Sequence, residues 1–101
     1  MNGMTFYSYL DEMQNLCLRA SNAFKVIKPD NPLLADYYDA AEEGFFRKKQ
    51  NCAAVDAGAP AGALKKQRLE EFKKTVQGWE DQAAYICKEI ADGKRSGNGI
   101  L

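Results

Sequence analysis

The sequence predicts an all-α protein, an up-down-up bundle of three long antiparallel helices. Apolar residues recur in steps of three and four along three stretches, and two short Pro/Gly-containing links separate those stretches. The middle stretch also orders its charges as a helix dipole prefers, acids first and bases last.

The first helix is predicted over 5–28, where Phe6, Leu10, Met13, Cys17, Ala20, Phe24 and Ile27 form one seam. Pro29 disfavours helical backbone at Lys28 and ends it. Asn31 is a good N-cap and Pro32 suits the first helical position, opening a second helix over 32–57. Its seam is Leu34, Tyr38, Ala41, Phe45, Lys48, Cys52 and Val55, with one polar member. Asp36, Asp39, Glu42 and Glu43 come early, and Arg47, Lys48 and Lys49 late. Gly58 is placed as a C-terminal cap with Pro60 just beyond. A third helix follows over 63–92, with Leu69, Phe72, Val76, Trp79, Ala83, Ile86 and Ile90 on its seam and Gly93 at its close. Each helix would be about 35–45 Å long at 1.5 Å per residue. Residues 1–93 then make one domain, and the Gly-rich 94–101 reads as a flexible tail.

A chain of 101 residues has room for one modest core. Apolar residues make up 46% and charged ones 28%, which excludes wholesale disorder. Lys plus Arg balances Asp plus Glu at 14 each, so no global field points to nucleic acid or membrane. No apolar run approaches a membrane span, and the N-terminus "MNGMTFYSYLDEM" lacks the basic and apolar regions of a secretory signal. Three cysteines without paired spacing fit reduced thiols, so a cytoplasmic location is expected. Histidine is absent, which removes the commonest general base and metal ligand. The expectation is therefore a non-enzyme without a cofactor.

Turning each helix by about 100° per residue leaves four large apolar residues off the seams. They are Tyr7 and Leu18 on helix 1, Phe46 on helix 2 and Tyr85 on helix 3. Single exposed apolar residues are ordinary, but together these four are candidate partner-binding residues, because aromatic side chains are favoured anchors. Tyr38 and Phe45 fall within the helix 2 seam and Tyr37 at its margin. Cys17, Cys52 and Cys87 fall on or beside apolar faces, where free Cys packs as a small hydrophobe.

Two charge clusters offer alternatives. Asp36-x-x-Asp39 opens helix 2 and Glu89-x-x-Asp92 closes helix 3, which antiparallel packing brings towards one end. Paired acids at i,i+3 on a bundle can hold Mg²⁺ against phosphates. The arrangement loosely resembles the MazG-type all-α nucleotide pyrophosphatases, whose signature is ExxE followed by ExxD. Here Asp stands at both glutamates of the first motif, and the likeness covers eight positions. It implies a Mg-dependent hydrolase with Asp36, Asp39, Glu89 and Asp92 as metal ligands; a solvated set of helix-end charges is the preferred account. The opposite end is basic, with Arg47, Lys48 and Lys49 closing helix 2 and Lys65, Lys66 and Arg68 opening helix 3. These six are candidate ligands for a nucleotide, nucleic acid or other anion. Against that, Lys66–Glu70 and Glu70–Lys74 are spaced for i,i+4 pairing within the helix.

The favoured reading is a small helical binding protein, acting as a homo-oligomer or on a protein partner. Size and simplicity suit an accessory or inhibitor protein of the kind phages and mobile elements encode.

Overall fold

The computed structural model describes residues 4–93. Its helices are α1 (Phe6–Ile27), α2 (Pro32–Gln50), α3 (Ala54–Gly58) and α4 (Ala63–Ala91). The all-α class is borne out, with no strand among the described residues. The expected tail at 94–101 lies outside them.

Local signals set most helix ends where the sequence places them. Thr5 caps α1, its Oγ1 accepting from the Ser8 N–H at 3.1 Å. Asn31 precedes α2 and Pro32 occupies its first position, although the Asn31 side chain makes no capping hydrogen bond. Gly93 closes α4 with φ 77°, the left-handed conformation that glycine adopts without steric cost.

The single helix expected over 32–57 is instead two. After Gln50 the chain turns, with Asn51 N–H donating to Arg47 O at 3.0 Å and Cys52 N–H to Lys49 O at 3.2 Å. Ala53 is extended before the single turn of α3 begins. Asn and Cys are weak helix formers, and a competing set of hydrogen bonds rewards the break. The link folds back onto the start of α1: Phe6 N–H donates to Ala59 O at 2.7 Å, and Ala61 N–H to Met4 O at 2.9 Å. Val55, expected at the end of the helix 2 seam, is consequently 84% exposed. Gly58 has no positive φ, and it is Gly62, at φ 91°, that redirects the chain into α4.

Side-chain pairs fix how the helices run. Glu12 meets Lys73 and Arg19 meets Glu80, the same offset of 61 residues, so α4 runs parallel to α1. Asp11 meets Lys49 and Gln14 meets Glu42, so α2 runs the other way. Both α2 and α4 pack chiefly on α1. Leu16, Ala20, Leu69 and Val76 form the core where α1 meets α4. The molecule extends 53 × 25 × 17 Å, and its radius of gyration of 16.4 Å exceeds the roughly 13 Å of a compact domain this long. It is a thin slab, one helix wide at its margins.

Candidate functional site

The slab leaves α2 poorly covered. Seven residues of α1 and four of α4 are buried, but only Ala35 of the nineteen in α2. Its inner side is held by Glu42, whose Oε2 accepts from Gln14 Nε2 at 2.7 Å, and by Lys49, whose Nζ donates to Asp11 Oδ1 at 2.7 Å. That hydrogen bond raises the Lys49 pKa above its ordinary value.

Between α2 and α4, floored by α1, lies a shallow apolar groove of about 310 Å³. Met13 and Cys17 form its floor, Tyr37, Tyr38, Ala41 and Phe45 one wall, and Phe72 the other. Aromatic rings close one end of it. Tyr38 lies 5.7 Å from Phe24, 5.5 Å from Trp79 and 6.2 Å from Phe72, centroid to centroid. Burial raises the Tyr38 pKa, with nearby Tyr37 adding to the shift. Burial also pushes the Cys17 thiol up to about 11, with Glu42 contributing, so it stays a protonated packing group. Cys52 is half-buried, and Cys87 is exposed on α4, away from the seam expected to shelter it.

The four off-seam residues are all exposed: Tyr7, Leu18, Phe46 and Tyr85. Lys49 Nζ lies 5.7 Å over the Tyr7 ring, placing Tyr7 at the α1–α2 junction. Phe46 shares that side of α2 with Glu42 and Lys49, and Leu18 lies one turn beyond Gln14 on α1. Tyr85 stands apart, level with Phe24 by the α1–α4 register and therefore about 25 Å along the axis from Tyr7. Sequence reasoning passed over Leu33 and set Tyr37 only at the margin of the apolar seam; they are 73% and 64% exposed. They share the outward face of α2 with Ala40 and Gly44, and the 33, 37, 40, 44 spacing was the available signal. Ala40, Glu43, Gly44 and Arg47 line a shallow depression there, and nothing lies within 4 Å of where a Gly44 Cβ would sit.

The six candidate anion ligands lie towards one end, but three are already engaged. Arg47 bonds Glu43 at 2.7 Å, Lys49 bonds Asp11, and Lys48 sits 5.2 Å over the Phe45 ring. Lys65, Lys66 and Arg68 are exposed and have no ion pair among the described residues. The i,i+4 pairs expected at Lys66–Glu70 and Glu70–Lys74 do not form; Glu70 meets Lys73 at 3.5 Å, and Lys73 also reaches Glu12. At the acidic end, Asp36, Asp39 and Asp92 are exposed and Glu89 half-buried. Among the described residues no three His, Cys, Asp or Glu side chains converge as a metal site, so these four acids do not assemble into one.

No family model, curated protein or solved structure matches this chain. No helix among the described residues is long and apolar enough to cross a membrane.

Proposed function

We propose that the protein acts by association: a small non-enzymatic interaction protein whose up-down-up bundle presents the α2 side to an oligomeric or protein partner. The carrying observation is the condition of α2, which buries one residue while exposing Leu33, Tyr37 and Phe46. Aromatic and large aliphatic side chains left in water on one helix are what interface anchors look like before they are covered. An accessory or inhibitor role suits such a module.

Sedimentation equilibrium on Leu33→Asp, which lies on the outward face of α2, paired with its thermal melt, tests this. The variant should keep the wild-type melt and lose about 1–3 kcal/mol of association. A wild-type chain that stays monomeric and gives no crosslink from α2 to any protein in its native cell would overturn the reading.

A second reading, anion or nucleotide binding at the basic end, is supported by the unengaged Lys65, Lys66 and Arg68. Its signature would be affinity that falls steeply with salt and weakens on Lys65→Glu. A Mg-dependent hydrolase reading would need Asp36, Asp39, Glu89 and Asp92 to converge, and no feature of the described residues favours it.

A further inference from the structure

Resting on the association reading above, we propose that the occupant of the outward α2 face is a second copy of this chain, with the two α2 helices packed antiparallel about a two-fold axis near Ala40–Gly44. Three features support this.

The first is charge. The first half of α2 carries Asp36 and Asp39; the second half carries Lys48 and an Arg47 that Glu43 already pairs within the helix. Neither Asp36, Asp39 nor Lys48 has an ion-pair partner among the described residues. Such a helix is complementary to itself only when the copy runs the opposite way. An axis midway between Ala40 and Gly44 sets Asp36 level with the second copy's Arg47–Lys48 pair, and the reverse pairing follows by symmetry. Tyr37 then stands beside the second copy's Lys48, a cation–π geometry of the kind Lys48 already makes with Phe45.

The second is shape. Ala40 and Gly44 follow Leu33 and Tyr37 along the outward face, with open space over Gly44. Small residues at the crossing point let two helix backbones approach closely while the larger side chains pack to either side. The third is that the chain has a formal net charge of zero, so two copies meet without overall repulsion.

The test uses reciprocal charge reversal read by sedimentation equilibrium. Asp36→Lys with Asp39→Lys makes one variant, and Arg47→Glu with Lys48→Glu the other. Each alone should dimerise at least about tenfold more weakly than wild type, and an equimolar mixture should recover a heterodimer. Gly44→Gln guards against misfolding: its side chain enters open space, so the monomer melt should hold or rise, while dimerisation should fall at least about tenfold. A monomeric wild type would overturn the proposal yet leave the broader reading standing if α2 still crosslinks to another protein. Failure of the mixed variants to pair, or a Gly44→Gln dimer of wild-type affinity, would also overturn it.

Discussion

The rings of Tyr38 and Trp79 lie 5.5 Å apart at 58°, joining α2 to α4 although both helices pack chiefly on α1. Phe24 completes the contact from α1, 4.7 Å from Trp79 and stacked on Tyr38. This cluster closes the slab at one end, and each aromatic pair adds about 0.5–1.5 kcal/mol beyond the area it buries. Trp79→Ala should therefore destabilise by about 3–5 kcal/mol, enough to threaten a domain of this size. Phe45→Ala should cost less, about 1–2 kcal/mol, because Phe45 lines the open groove instead of a filled core. Chemical denaturation of the two variants measures the difference; equal losses would mean the groove is closed in solution.

Ser21 is fully buried on α1, and its hydroxyl has no hydrogen-bond partner among the described residues. A buried hydroxyl without a partner retains its desolvation cost. Ser21→Ala should accordingly stabilise by about 0.5–1.5 kcal/mol, read as a raised denaturation midpoint. A loss of stability would show that the hydroxyl is satisfied in solution.

The helices were legible in the sequence because their signals are local. The Phe6–Ile27 and Ala63–Ala91 bounds follow from periodicity, a proline and a terminal glycine. The outward phase of Tyr7, Leu18, Phe46 and Tyr85 follows from helical rotation alone. The break after Gln50 was not legible, because what rewards it is tertiary: the link at Ala59–Ala61 pairing with Met4 and Phe6, over fifty residues away in sequence. The groove was hidden for the same reason. Seam periodicity says which face is apolar, but it does not say that α2 and α4 share α1 and leave space between them.

Arg19 and Glu80 form a two-point bridge between α1 and α4, with Nε to Oε2 at 2.8 Å and Nη2 to Oε1 at 2.5 Å. The hydrogen bonds from Arg19 hold the Glu80 pKa below its ordinary value. Because the folded pKa is depressed, the contribution is complete above the unfolded carboxylate range and disappears as pH falls through the folded value. The two side chains are 40% and 32% exposed, so solvent screening limits the pair to about 0.3–1 kcal/mol. Thermal melts of wild type and Glu80→Gln should differ by that amount at neutral pH and converge in acid. A gap that persists below the carboxylate range would assign the effect to packing.

The three thiols should separate by reactivity. Cys87 is exposed and should react first with a disulfide reagent, Cys52 next, and Cys17 only on unfolding, since it is buried with its pKa pushed up to about 11. Time-resolved mass spectrometry of labelled peptides gives the order. Early labelling of Cys17 would mean that the groove floor opens readily.

Amide hydrogen exchange at low and high protein concentration tests most directly whether α2 is the helix that associates. Peptides covering 33–47 should exchange more slowly as concentration rises, while those covering the exposed outer side of α4 near Tyr85 should not change. Exchange in α2 that is independent of concentration, or protection appearing at Tyr85 instead, would contradict association through α2.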